Sequence, residues 1–232
     1  MKKRPGRCFL LTFRPLAVSP AGRAAARVCG LPPFLDGSCR REPDFESTFP
    51  SITAICRAGN FAPRLRVGDR VAYLTVKGRY LGNIESGWCF VAMLRVIRRF
   101  PNHRDAASWY RSKGHSVPSN CLVEGNPPIP LEFTNRRPPP KIRKLVVAER
   151  EPARTIRLWD AAYRQRVARW PVFLVTKAEF LELNKPPLIV TADMLEVLGV
   201  IPATRNPLEI KCGQLARLLA LAAGRRLESL PD

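Results

Sequence analysis

Two short apolar runs separated by a glycine-rich connector dominate the middle of the chain, between residues 67 and 100. The first run covers residues 70–76 and the second covers residues 89–97, and both are rich in β-branched and aromatic residues. Gly68 and Asp69 form a turn signal before the first run. Runs of this length and composition, bounded by turn residues, are typical of buried strands. We therefore predict an antiparallel strand pair at the centre of a β-rich core.

Patterns N-terminal to this pair predict one strand and two short helices. The apolar run at residues 8–13 predicts the first strand, and residues 21–28 favour a short helix. Residues 51–58 place Ile52 and Ile55 on one face at helical spacing, which predicts a second short helix that ends before the Gly59–Asn60 stop signal.

Patterns C-terminal to the pair predict more helices than strands. Asn102 is a good N-cap for the next helix because Asp105 follows it at the spacing of a capping box. Thr191 and Gly199 likewise suit the start and the end of a later helix. Together these signals predict helices within residues 103–113, 150–169, 192–198 and 212–223, and strand structure at 172–175 and 180–183, as one long strand or as two.

A proline-rich stretch at residues 124–144 divides the chain. Such a sequence favours extended polyproline II backbone and resists folding back on itself. We predict a core domain at residues 7–135 and a C-terminal extension at residues 145–232 that is packed on the core or linked to it. An exposed connector within one domain is an equally good interpretation. The predicted fold class is α+β, with a β-barrel core, flanking helices and a C-terminal α/β extension.

The charge of the chain indicates a polyanionic partner. Among 232 residues, 39 Lys and Arg face 19 Asp and Glu, which gives a net charge of +20. This excess costs the folded state self-repulsion, and nucleic acid is the commonest partner that offsets it. A basic bias of the whole proteome and an anionic membrane surface are the alternatives. Nothing in the composition distinguishes RNA from DNA or gives the oligomeric state.

Apolar run length bears on where the protein resides. No run approaches the length of a membrane span, and the N-terminal run at residues 8–13 is too short for the core of a signal peptide. We therefore predict a cytoplasmic protein with no membrane partner.

Cysteine usage agrees with that compartment. The chain has seven cysteines, an odd number, and none is arranged as Cys-x-x-Cys. We predict reduced thiols in buried or half-buried positions. A zinc site would have to gather distant cysteines with the only two histidines, so we predict no metal site and no cofactor.

Catalytic motifs are missing from the sequence. It contains no nucleophile elbow, zinc-protease motif, P-loop or dinucleotide-binding glycine motif. We predict no catalytic residue. The alternative is an enzyme that acts on nucleotides or nucleic acid, such as a nuclease or a base-modifying hydrolase, in which the chemistry would fall to Glu42, Asp44, His115 and Cys121.

The order of elements around the strand pair resembles that of the PUA-like superfamily, and within it the chain is similar to the EVE, ASCH and YTH domains. In EVE-like sequences a basic residue and Gly-Asp lead into a strand, and a later valine-rich strand precedes a proline and a helix. The matching positions here are Arg66, Gly68, Asp69, Val71, Tyr73, Val91, Val96 and Pro101. The chain also looks like bacterial and phage proteins described as nucleotide-modification-associated domains. The resemblance implies a small PUA-like β-barrel that reads a nucleic-acid base, often a modified one, in a pocket.

Candidate site residues follow from the polar loops that flank the strand pair. We expect arginines to fix phosphates and one or two aromatic rings to stack a modified or flipped base. The predicted base pocket comprises Arg40, Arg41, Glu42, Asp44, Ser51, Arg57, Asn60, Thr75, Ser119, Asn120 and Cys121. The predicted phosphate contacts are Arg64, Arg66, Lys77 and Arg79.

Overall fold

A computed structural model describes residues 6–80, 86–135, 151–185, 188–202 and 207–222. The strands within these residues are β1 (Cys8–Phe13), β2 (Ser51–Thr53), β3 (Arg70–Thr75), β4 (Trp88–Phe100), β5 (Phe173–Leu181), β6 (Leu188–Val190) and β7 (Leu208–Ile210). The α-helices are α1 (Pro20–Val28), α2 (His103–Ser112), α3 (Pro152–Arg169), α4 (Ala192–Val197) and α5 (Cys212–Ala222). The predicted α+β class is confirmed at this level.

The strands form one mixed sheet that curls into a half-barrel. Its order is β2-β5-β4-β3-β1-β7, and β6 pairs with β4 beyond the end of β5. β1 runs parallel to β3, whereas the other pairs are antiparallel. The predicted central pair is therefore confirmed: β3 and β4 pair from Arg70 opposite Arg95 to Leu74 opposite Phe90.

Both faces of β1 and of most of β3 are buried, which explains why these two strands are mostly apolar. In β1, Phe9 and Leu11 point to one apolar cluster together with residues of the 34–65 segment. Leu10 points to the opposite cluster, which α4 and α5 complete. Alternate residues of one strand thus belong to different layers, as the period of two requires.

The C-terminal part of the chain contributes strands to the same sheet. β5 lies between β2 and β4, and β7 lies at the edge beside β1. The two apolar runs predicted as strand both contribute to β5, which is a single long strand. The proline-rich residues 136–144, on which the predicted domain boundary depends, fall outside the described residues.

The N-cap residues predicted for two helices are confirmed. The Asn102 side-chain oxygen accepts a hydrogen bond from the backbone N–H of Asp105 at 2.8 Å and begins α2. The Thr191 hydroxyl accepts from the N–H of Met194 at 3.3 Å and begins α4, and Gly199 follows α4 with a positive φ of 63°. Within the described residues, no helix is both long and apolar enough to cross a membrane.

The helix predicted at residues 51–58 is wrong. Residues 51–53 form β2, with Ser51 opposite Val175 and Thr53 opposite Phe173 in β5, and a turn then leads to a 3-10 helix at Ala58–Asn60. Ile52 and Ile55 are both buried, but by the sheet and by the turn that follows it. The spacing of Ile52 and Ile55 therefore fits a three-residue strand followed by a turn as well as it fits a helix. Pairing with β5, where Thr53 lies opposite Phe173, selects the strand.

The prediction that all cysteines are reduced is wrong for two of them. Cys8 in β1 and Cys212 at the start of α5 form a disulfide across 204 residues of sequence. Antiparallel pairing of β7 with β1 brings the start of α5 beside Cys8, and no sequence spacing could signal this. The remaining cysteines are free thiols: Cys29, Cys39, Cys56, Cys89 and Cys121.

Candidate nucleic-acid interface

The polar loop at residues 36–50 is fastened to the core by a buried network around Glu42. The Glu42 carboxyl accepts hydrogen bonds from the backbone N–H of Thr53 at 3.0 Å and from its hydroxyl at 2.5 Å. The side-chain amide of Asn120 donates to the same carboxyl at 3.2 Å. Asn120 also accepts from the Ser51 hydroxyl at 2.7 Å. Asn120 therefore ties this loop and β2 to the segment after α2.

Asp44 makes a second attachment. Its carboxylate accepts from both the backbone N–H and the hydroxyl of Ser119 at 2.7 Å. The backbone groups of Asp44 and Ser51 pair as an antiparallel bridge. The segment from Ser119 to Asn120 thus meets Glu42 and Asp44, two of the four acidic residues of the loop.

Burial raises the pKa values of these carboxyls. For Glu42, removal from water raises the pKa to about 8, against the smaller lowering effect of its hydrogen bonds to Thr53. For Asp44 and Asp36, burial also raises the pKa, and hydrogen bonds from Ser119 and Ser38 oppose it. A Glu42 carboxyl with this pKa is mostly protonated at neutral pH, so it can be buried without a cation bonded to it.

Two buried arginines attach the loop further. Arg40 donates to the backbone carbonyls of Ser119 and Asn126 at 2.9 Å and to the Asp160 carboxylate of α3 at 2.8 Å. Arg41 donates to the Glu46 carboxylate at 2.7 Å and to backbone carbonyls of Asp36 and Phe133. Their guanidinium groups are enclosed and engaged with the protein itself.

The remaining predicted pocket residues are also buried, with two exceptions. Arg57 donates to the backbone carbonyl of Thr12 at 2.7 Å, and the Thr75 hydroxyl accepts from the N–H of Cys89 at 2.9 Å. Ser119 is half-buried and Asn60 is exposed. The structure therefore gathers most of the predicted residues in one region, as a hydrogen-bonded interior.

The residues of the enzyme alternative have separate partners. The Cys121 thiol donates to the backbone carbonyl of His103 at 3.3 Å, and burial raises its pKa to about 12. The His115 ring packs edge-on against Phe49, with 5.1 Å between ring centroids. A thiol with so high a pKa is almost entirely protonated at neutral pH, which is the unreactive form.

An open cleft of about 530 Å³ lies on the surface near the start of β3. It is lined by Arg7, Pro63, Arg64, Leu65, Arg66 and Arg99, and we call its four arginines and the space between them the arginine cleft. Arg64, Arg66 and Arg99 are exposed, and Arg7 is half-buried. The cleft collects positive charge from the segment before β1, from the segment before β3 and from the end of β4.

Asp69 organises this cleft. Its carboxylate accepts from the backbone N–H of Arg7 at 3.0 Å, from the backbone N–H of Arg66 at 2.9 Å, and from the Arg7 guanidinium at 2.8 Å. Gly68 before it has a φ of 96°, which only glycine adopts at little cost. A Cβ on Gly6 would lie 1.9 Å from the Gly68 carbonyl oxygen, so the two segments pass in contact. The Gly-Asp turn therefore fixes two of the cleft arginines.

The four predicted phosphate contacts divide into two pairs. Arg64 and Arg66 line the arginine cleft. Lys77 and Arg79 follow the opposite end of β3, a strand of six residues that spans roughly 20 Å. There the Lys77 ammonium lies over the Trp88 ring, 5.2 Å from its centroid. The structure therefore keeps only the first pair together.

Sequence reasoning did not place Arg7 and Arg99 in the site. Arg7 reaches the cleft because β1 lies parallel to β3, with Cys8 opposite Arg70, and strand order is not visible in the sequence. Arg99 lies two residues beyond the predicted end of the second apolar run. The residues after Val96 do not alternate between apolar and polar, because the register shifts between Val96 and Arg98, so no local signal placed Arg99 in the strand.

Comparison with family models, with curated proteins and with solved structures found no match. Within the described ranges, no three His, Cys, Asp or Glu side chains are grouped so that they could hold a metal ion. The interpretation of the site therefore depends on its own geometry and charge.

Proposed function

We propose that this protein binds nucleic acid and that the arginine cleft holds the phosphates. The observation that carries the proposal is the convergence of Arg7, Arg64, Arg66 and Arg99 on one open cleft of about 530 Å³. Guanidinium groups bind phosphate oxygens through charge-assisted, often paired hydrogen bonds. The net charge of +20 supports the same kind of partner through long-range attraction.

We also propose that the core is a PUA-like domain. The curled sheet supports this. So does the cleft, because its lining includes Arg66, one of the positions that carry the resemblance, and the Gly68–Asp69 turn lies beside it. Reading of a modified or flipped base at Glu42 and Asn120 would require the loop at residues 36–50 to move, because that region is buried and hydrogen-bonded. Phosphate binding in the cleft requires no such movement, so it is the basis of the proposal.

A salt series tests the proposal. Anisotropy of labelled single-stranded and duplex DNA and RNA should show binding at about 50 mM salt, with an affinity that falls steeply as salt rises. Each phosphate contact contributes a slope of about 0.9 on duplex DNA, or about 0.7 on a single strand, in log affinity against log salt.

Single substitutions locate the contact. Arg66→Gln and Arg99→Gln should each weaken binding across all sequences and lower the salt slope by about one. Arg27→Gln removes the same charge from the exposed side of α1 and is the matched control. Negligible affinity for every nucleic acid at 50 mM salt would overturn the proposal, and equal effects of the three substitutions would move the site away from the cleft.

A further inference from the structure

An arginine and a tryptophan form a stack at the end of α3. The Arg169 guanidinium carbon lies 4.8 Å from the centroid of the Trp170 ring. Trp170 is half-buried and packs against the apolar cluster that contains Phe9 and Leu11, while Arg169 is exposed. The stack therefore presents a planar cation on a ring that the core holds in place.

This stack adjoins the segment that leads into the arginine cleft. A Cβ on Gly59 would lie 2.6 Å from the indole nitrogen of Trp170, so the backbone of the 3-10 helix Ala58–Asn60 touches the ring. The next 3-10 helix, Ala62–Arg64, ends at the cleft. Arg64 is five positions after Gly59, which limits the distance between their Cα atoms to about 19 Å.

The segments that bear the stack and lead to the cleft carry only positive charge. Residues 57–68 contain no Asp or Glu, and neither do residues 161–178. Asn60, which lies between the two places, is exposed and offers amide hydrogen-bonding groups. A polyanionic strand that leaves the cleft along this segment meets no acidic residue of either stretch.

We infer that the ligand is a single-stranded nucleic acid, whose phosphates occupy the arginine cleft while one of its bases stacks on the Arg169–Trp170 pair. This inference rests on the proposed function and adds the strandedness of the ligand. Bases stack on aromatic rings and on guanidinium planes only when their faces are free, and a duplex keeps those faces covered. A strand of about six nucleotides, at roughly 3.4 Å each when stacked, covers the distance.

The experiment compares a labelled 12-nucleotide strand with the duplex of the same sequence. Trp170→Leu removes the ring, Trp170→Phe keeps an aromatic face, and Arg169→Gln removes the planar cation. Arg157→Gln is the matched control, because Arg157 is also exposed on α3 and lies 12 residues, or roughly 18 Å, from Arg169 along the helix. Circular dichroism of each variant verifies that it is folded.

We expect Trp170→Leu to weaken single-strand binding about five- to a hundredfold, the usual effect of losing one base stack. Trp170→Phe should keep most of the wild-type affinity for the single strand. Arg169→Gln should weaken single-strand binding more than Arg157→Gln does. The affinity for the duplex should change by the same small factor in all four variants. Wild-type affinity of Trp170→Leu for the single strand would overturn this inference and leave the proposed function standing. Failure of the wild type to bind either ligand would instead overturn the proposed function. If Trp170→Leu does not fold, equal effects of the two arginine substitutions overturn the inference.

Discussion

Asp69 holds Arg7 at two points, accepting from its backbone N–H at 3.0 Å and from its guanidinium at 2.8 Å. Only 3% of the Asp69 side chain is exposed, compared with 33% for Arg7. The carboxylate therefore lies beneath the cleft as a fixed support and the guanidinium faces the cleft. This single pair joins the start of β1 to the turn before β3, so cleft shape and fold stability depend on the same residue.

Asp69→Asn tests this dependence. The amide keeps the size of the carboxylate but loses its charge, and one of its two polar atoms can no longer accept a hydrogen bond. We expect the free energy of unfolding to fall by about 1–3 kcal/mol, the usual cost of leaving a buried hydrogen-bonding group without its partner. Urea unfolding measures it, with Glu124→Gln at an exposed position after α2 as the control. An unchanged unfolding midpoint would contradict the role given to Asp69.

The raised pKa of Glu42 predicts that the stability of the fold depends on pH. Its pKa is raised by burial from 4.5 to about 8, so the folded state keeps a proton that the unfolded state releases. This proton contributes stability that is fully present below pH 4.5 and is lost as the pH rises towards 8, at up to about 1.4 kcal/mol per pH unit.

The variant Glu42→Gln isolates that contribution. One carboxyl oxygen of Glu42 accepts from both Thr53 and Asn120, and the amide oxygen of glutamine can take its place. We expect the stability of the variant to fall less than that of the wild type between pH 5 and pH 8 in denaturant unfolding. Parallel pH profiles of the two proteins would show that Glu42 is ionised in the folded state.

The central strand pair could be predicted from the sequence because its signals are local. The composition of β3 and β4, the turn at Gly68 and the N-cap at Asn102 each act within a few residues. The same local signals gave α3 and α5. Where a segment's structure depends on a distant partner, local signals failed, as β2 shows by pairing with β5.

The candidate site was predictable in part for the same reason. The polar residues from Arg40 to Asp44 are chemically conspicuous, but hydrogen bonding to Ser119 and Asn120 buries most of them, and burial is a property of the whole fold. Arg64 and Arg66 were found because they precede a recognisable turn. The cleft as a whole needed the parallel pairing of β1 with β3, which places Arg7 beside them.

Asn120 offers a test of the buried network with a control from the same set of predicted residues. Its amide donates to Glu42 and accepts from the Ser51 hydroxyl, so Asn120→Ala leaves both without this partner. We expect a loss of about 1–3 kcal/mol in the free energy of unfolding. Asn60→Ala removes an exposed amide and should change stability by no more than about 0.5 kcal/mol. A loss for Asn120→Ala as small as that for Asn60→Ala would mean that the network contributes no particular stability.

The disulfide between Cys8 and Cys212 predicts a response to reductant. Closing a loop across 204 residues restricts the unfolded chain, so reduction by a dithiol should lower the free energy of unfolding by about 2–5 kcal/mol. Thiol titration in denaturant should find five free cysteines before reduction and seven after it. Cys212→Ser should match the reduced wild type and lose its sensitivity to the dithiol, whereas Cys56→Ser, which removes an exposed free thiol, should behave like the wild type. Seven reactive thiols in protein never exposed to reductant would contradict the bond.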